Sequence, residues 1–321
     1  MNRSKRSWKS SAGPTALSPR LEQWRRSGDT LQIGNHHLFY RQAGAGPPLL
    51  LLHAYPTASW GFHRMWPALT ERFHVIAPDL LGSGFSDKPA VDAYRIESLA
   101  DQVEALLAAR CIERPHVLAH AYGVTTAQEL LARHHERGQR GGEGLRLRSI
   151  CFINGGLFPE GTRPTPMQKM LLSPLGPLIA QLAPQPYAMF RRKLACNFGP
   201  HTQPTEEELQ ELWQVLRYNN GHRIVPRTLQ YLKQRIAKRS RWVGALTEAG
   251  IPLALINGAA DPVSGEHVPR LWREHLPGAP LYQLDPAIGH YPPLEDPAGT
   301  LDAFLHFIES QSSGGSPRDS A

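Results

Sequence analysis

The chain has 321 residues, 41% of them hydrophobic and 20% charged, which is enough apolar material for a packed core and excludes wholesale disorder. Its three cysteines (Cys111, Cys151, Cys196) are too few and too scattered for a disulfide framework or a cysteine zinc site, and no apolar run reaches the ~18 residues of a membrane helix. The net charge of +7 is unevenly placed: residues 1–28 carry seven Lys/Arg against one Glu, and residues 163–241 carry thirteen against four, a basic tail and a basic subregion rather than a nucleic-acid surface.

Residues 1–29 read as a disordered basic tail. They are rich in Arg, Lys and Ser, lack the hydrophobic stretch of a secretory signal, and carry Pro14 and Pro19 against an amphipathic presequence helix. With scattered cysteines and no such signal, the expected compartment is the cytoplasm. Residues 31–42 predict a strand pair turning at Gly34-Asn35. Residues 47–53 (PPLLLLH) form a short continuous apolar run, the signature of a buried strand, and residues 74–78 form another. Residues 98–110 have helical period, with Leu99, Val103, Leu106 and Leu107 on one face. A strand at 116–120, a helix at 125–135 and strands at 149–154, 252–257 and 280–284 complete the series. The alternation predicts an α/β fold, a mostly parallel sheet covered by helices on both faces.

The pattern breaks once. Residues 155–246 show no clear strand and are rich in Pro and helix formers, which predicts a helical lid inserted after the sixth strand. Its most apolar part, residues 170–183, holds Pro174 and Pro177 and is expected as a buried lid helix rather than a membrane-dipping one. The expected organisation is therefore a tail (1–29), a core (30–154 and 247–310), the lid (155–246) and a second tail (311–321).

Four loop signatures follow predicted strands, at the carboxyl edge where open α/β sheets bind ligands. His53-Ala54-Tyr55-Pro56 follows the first apolar run. Asp79 opens a loop through Gly82 and Gly84 to Asp87, glycines that suit a tight turn and not a dinucleotide fingerprint. Ala119-His120-Ala121-Tyr122-Gly123 joins a strand to a helix. Asp261 lies in a loop after 252–257, and Gly289-His290 follows the last strand. Together these resemble the α/β-hydrolase family over residues 30–310. Within it the chain looks like the epoxide hydrolase and haloalkane dehalogenase branch. It is most similar to the mesoderm-specific transcript protein group, through residues 53–59, 79–89, 154–160, 198–204, 241–246 and 290–297.

The resemblance implies a nucleophile, an acid and a histidine in chain order. His290 matches the general base, and Asp261 the acid that fixes its tautomer. The middle of the elbow, where the branch carries an Asp that forms an ester with substrate, is Ala121. Thr125 and Thr126 lie one turn into the helix, and His120 faces the other way by strand alternation, so none replaces it. Three readings stay open: an engineered, substrate-trapping form of an active hydrolase; a natural homologue that binds a ligand without catalysis; and an enzyme using the His290–Asp261 dyad alone.

Backbone N–H groups of Tyr55 and Tyr122 are the implied oxyanion donors, with Ala54 replacing a usual glycine and a cis Tyr55-Pro56 bond expected. His53, His120 and Asn154 are implied in the substrate pocket, with Tyr187, Tyr218 and Tyr231 as candidate lid tyrosines to protonate an opening epoxide oxygen. Tyr122 stands where halide release wants a tryptophan, which favours epoxide opening. The expected partner is a small, largely apolar molecule, with no cofactor and no metal. The basic lid suits a weak contact with an anionic membrane.

Overall fold

The computed structural model describes residues 16–89, 94–161, 166–182 and 185–313. Among the described residues, eight strands form one sheet. They are β1 (Asp29–Ile33), β2 (His36–Ala43), β3 (Pro48–Leu52), β4 (His74–Pro78), β5 (His116–His120), β6 (Ser149–Ile153), β7 (Leu253–Asn257) and β8 (Leu281–Gln283). Their spatial order is β1-β2-β4-β3-β5-β6-β7-β8. The pairs β1–β2 and β2–β4 are antiparallel, and all later neighbours are parallel.

The central strands read as unbroken apolar runs because both faces of the sheet are covered. Side chains alternate between two hydrophobic clusters, one on each face. Leu50, Leu52, Val117, Ala119, Ile150 and Phe152 enter one cluster. Leu49, Leu51, Leu118, Cys151 and Ile153 enter the other.

The helices are, in chain order, α1 (Pro19–Arg26), α2 (Trp66–Arg72), α3 (Ile96–Ala109) and α4 (Tyr122–Arg140). Between β6 and β7 come α5 (Pro166–Leu171), α6 (Gly176–Leu182), α7 (Tyr187–Ala195), α8 (Glu206–Arg217), α9 (Val225–Thr228), α10 (Tyr231–Ala237) and α11 (Arg239–Thr247). The chain closes with α12 (His267–His275), α13 (Pro292–Glu295) and α14 (Pro297–Ser313). Buried residues of α3, α4, α11 and α12 fill the first cluster; those of α1, α2, α7, α8 and α14 fill the second.

The expected boundaries need four corrections. Residues 19–29 are not tail. Ser18 caps α1 by accepting from the Leu21 N–H at 3.2 Å, and Leu21 and Trp24 are buried. Trp24 packs edge-on against Trp60 and Trp66 at 5.3 and 5.1 Å, and Arg41 lies 4.0 Å from its ring. The strong positive charge hid a helix whose apolar face rests on two residues. The expected tail at 1–15 lies outside the described residues.

Residues 239–246 are expected in the lid, but α11 packs with α4 against the sheet. Trp242 is buried there, and its indole N–H donates to Glu129 at 2.7 Å. Burial opposes the Glu129 charge, but hydrogen bonds from Arg241, Trp242 and Arg133 more than offset this and lower its pKa.

Residues 170–182 are not one buried helix. The chain breaks between α5 and α6, and Leu175 and Leu178 are 63% and 52% exposed. Pro174 sits in that break and Pro177 in the first turn of α6, the positions that a residue without an N–H tolerates. Residue 183 lies outside the described residues. At the other end, α14 runs to Ser313, past the expected limit of 310; residues 314–321 are not described. Among the described residues, no helix is long and apolar enough to cross a membrane.

Candidate active site

Position 121 is a strained elbow. β5 ends at His120 and α4 starts at Tyr122, so one residue turns the chain, and Ala121 has φ 46° and ψ −97°. Few non-glycine residues adopt that region. Two close approaches hold it. A Cβ on Gly123 would lie 2.4 Å from the Leu52 carbonyl oxygen, and one on Gly155 would lie 2.8 Å from Ala121 Cα. The Gly123 N–H donates to His53 O at 3.0 Å, and the Ala121 N–H to Ile153 O at 3.2 Å. The flanking backbone thus sets the turn without help from the side chain at 121.

His290 and Asp261 meet as the resemblance implies. His290 Nδ1–H donates to Asp261 Oδ2 at 2.9 Å, and both side chains are buried. Asp261 Oδ1 accepts from the Val263 N–H at 2.7 Å, and Ser264 Oγ donates to Oδ2. Burial works against a charged imidazole, but the Asp261 charge and hydrogen bond prevail, so the His290 pKa is raised. Burial likewise works against the Asp261 carboxylate, and the same pair together with Ser264 and Val263 holds its pKa below the usual range.

The two amides that the resemblance implies as oxyanion donors belong to the loop after β3 and to the start of α4. Among the described residues, neither the Tyr55 N–H nor the Tyr122 N–H has a protein acceptor. For Tyr122 the reason is general, since the first N–H groups of a helix have no intrahelical partner. The Tyr55-Pro56 bond is cis, and Tyr291 Oη donates to Tyr55 O at 3.1 Å.

The other expected pocket residues divide. Tyr231 packs edge-on against Tyr122, the residue after the elbow, with ring centroids 5.0 Å apart. Burial raises its pKa, so the phenol stays protonated and can donate. Tyr187 does not join this pair. Its hydroxyl donates to the exposed Glu206 at 2.6 Å and its ring packs on Trp213. Tyr218 packs on Phe85 at 4.9 Å and also interacts with Arg25 of α1, away from the dyad.

Three polar residues are braces and not pocket-lining groups. His53 is fully buried with both ring nitrogens in use: Nδ1–H donates to Ala54 O at 2.7 Å, and Nε2 accepts from the Leu80 N–H at 3.0 Å. Asn154 donates to Gly289 O at 2.8 Å and accepts from the Gly258 N–H at 2.9 Å, which joins the Asp261 and His290 loops. His120 Nε2–H donates to His290 O at 2.8 Å, and burial, then the nearby His290, pushes its pKa down to about 3.

Two further residues carry weight that the motifs alone do not announce. Glu295 accepts from the Gly289 and Tyr291 N–H groups, each at 2.8 Å, on either side of His290. It also accepts from the Gly199 N–H at 2.7 Å and Thr202 Oγ at 2.6 Å, tying the histidine loop to the insertion. Ser264 bridges Asp261 to the Gly155 N–H, at 2.9 Å from the latter. The available signals were the spacings His290-x4-Glu295 and Asp261-x2-Ser264.

This elbow, acid and histidine at the carboxyl edge of a mostly parallel sheet define a hydrolase-type site. The family model of the alpha/beta hydrolase fold matches residues 47–297, and the chain belongs to that family. It is 41% identical over 307 residues to the mesoderm-specific transcript protein of Mus musculus, covering 92% of this chain and 90% of that one. Among solved structures it resembles the epoxide hydrolase CorEH, at TM-score 0.70 and 22% identity over 88% of this chain and 99% of that one. It also resembles the haloalkane dehalogenase DbeA from Bradyrhizobium elkani, at TM-score 0.71 and 22% identity over 89% and 99%. At these identities the structural likeness is one of fold.

Proposed function

We propose that this chain is an epoxide-hydrolase-like protein for a small, largely apolar molecule, in which alanine at the nucleophile position leaves a binding site without covalent chemistry. The supporting observation is that the elbow keeps its strained turn at Ala121 while His290 and Asp261 remain paired at 2.9 Å. In the parent reaction, a carboxylate at 121 attacks an epoxide carbon, the ring C–O bond breaks, and Tyr231 protonates the departing oxygen. Water deprotonated by His290 Nε2 then attacks the ester carbonyl. The resulting oxyanion is held by the Tyr55 and Tyr122 amides until the ester bond breaks and frees the diol and the carboxylate. Measuring turnover of an epoxide and ester panel by Ala121→Asp against the Ala121 chain tests this reading. Turnover by the Ala121 chain itself would favour the dyad-only enzyme, and a folded but silent Ala121→Asp would favour the pure ligand binder.

The insertion serves as the lid over this site in our reading, and its outer face makes a weak contact with anionic membranes. Leu175 and Leu178 of the α5–α6 region are exposed, as is Ile236 of α10. Lys233 Nζ donates to Leu172 O at 2.9 Å, which brings these two segments together under positive charge. We place the protein in a reducing compartment, because Cys111, Cys151 and Cys196 are all free thiols.

A further inference from the structure

Arg235 is the charged side chain that the reading above does not use. It lies on α10, one turn beyond Tyr231, and is only 4% exposed. Its Nε and Nη2 have no hydrogen-bond partner among the described residues. A guanidinium stays protonated in proteins, and burying it unpaired is costly. The charge next in reach, Glu160, is paired with Arg239. Tyr231 takes one hydrogen bond from the guanidinium, but as a neutral phenol it cannot compensate the charge, and Nε and Nη2 stay free.

The guanidinium lies beside the elbow. A Cβ on Gly156 would come within 2.0 Å of Arg235 Nη2 and 2.3 Å of Cζ. The preceding Gly155 is the residue that seats Ala121. Bond-length arithmetic across this dipeptide puts the guanidinium at most about 12 Å from Ala121 Cα. Both glycines are needed without side chains, one for the elbow and one for the arginine.

We propose that Arg235 receives a carboxylate of the ligand, so that the bound molecule is an apolar acid with its anionic group held under α10 and its reactive carbon at residue 121. This rests on the reading of the site as a small-molecule pocket. The free Nε–H and Nη2–H form one edge of the guanidinium, and such an edge matches the two oxygens of a carboxylate. A single unpaired positive charge also matches one negative charge better than a phosphate dianion.

The test uses the Ala121 chain and direct binding, so turnover does not enter. Phenylacetate, 3-phenylpropionate, 4-phenylbutyrate and decanoate are each compared with the matching amide by calorimetry and thermal shift. At least one acid should bind ten-fold or more tightly than its amide. Arg235→Gln should remove that preference, by weakening acid binding ten-fold or more and amide binding by much less. Arg235→Met should raise the Tm of the unliganded protein, since it removes an unpaired buried charge; a merely structural arginine would lower it. Acid and amide binding alike in the Ala121 chain, or an acid preference that survives in Arg235→Gln, would overturn the role of Arg235 and leave the pocket standing. Binding of no acid and no amide would overturn the pocket reading as well.

Discussion

His290 Nδ1 lies 2.9 Å from Asp261 Oδ2, and each shifts the other's pKa toward its charged form. The sign of the resulting pH dependence follows. His290 has a raised folded pKa, so its contribution is complete below its ordinary value of 6.5 and is lost as pH rises through the folded value. Asp261 has a lowered folded pKa, so its contribution is complete above its ordinary value of 3.8 and is lost as pH falls through the folded value. The pair therefore stabilises most between about pH 4 and pH 6.5.

Asp261→Asn should lower Tm most in that window, with the gap to the unmodified protein shrinking at higher pH. In the same variant the His290 imidazole keeps only the Glu295 charge against burial, the largest influence on it, and should titrate below the ordinary histidine value by NMR. A gap that does not change with pH would show that the two groups are not coupled.

Trp24→Ala tests whether the N-terminal helix belongs to the fold. A buried tryptophan between two others should cost about 3–5 kcal/mol on truncation. Urea unfolding monitors this directly. A loss under about 1 kcal/mol would return residues 19–26 to the status of a tail.

How legible the chain was depended on whether a signal was local. The runs around Leu49–Leu52 and Val117–Ala119 gave strands within a residue or two, because burial on both faces leaves an unbroken apolar stretch. The elbow, Asp261 and His290 could be read because loop signatures follow strands in a fixed order. Helix α1 was hidden, since Leu21 and Trp24 are only two residues in a basic context. Of the three lid tyrosines, sequence could not say that Tyr231 reaches Tyr122 while Tyr187 turns to Glu206. The bracing roles of His53 and Asn154 were equally invisible, because both depend on backbone groups distant in sequence.

Glu295→Ala should loosen the histidine loop. Four donors lose their acceptor: the N–H groups of Gly199, Gly289 and Tyr291, and the Thr202 hydroxyl. Each partly buried donor left unpaired costs about 1–3 kcal/mol, less where water enters, so a total loss of at least about 2 kcal/mol is expected. Amide hydrogen exchange should rise at residues 289–291 before it rises in β7. Unchanged exchange there would remove Glu295 from the positioning role.

The exposed apolar face of the insertion gives a separate prediction. The protein should cosediment with phosphatidylserine-containing vesicles and much less with pure phosphatidylcholine. Replacing both Leu175 and Leu178 by Ser should weaken that binding several-fold without changing Tm by more than a degree or two. Equal sedimentation with both vesicle types would rule out the anionic contact.

The central claim is that only the carboxylate is missing at residue 121. Intact-mass spectrometry of the double variant Ala121→Asp, His290→Gln, incubated with a panel of epoxides and alkyl halides, tests it most directly. Attack proceeds there and water activation does not, so the protein should gain the mass of the substrate, or of its alkyl group, as an ester on residue 121. Ala121→Asp alone should turn over the same compound. A folded double variant with no adduct across the panel, together with a folded and silent Ala121→Asp, would contradict the account.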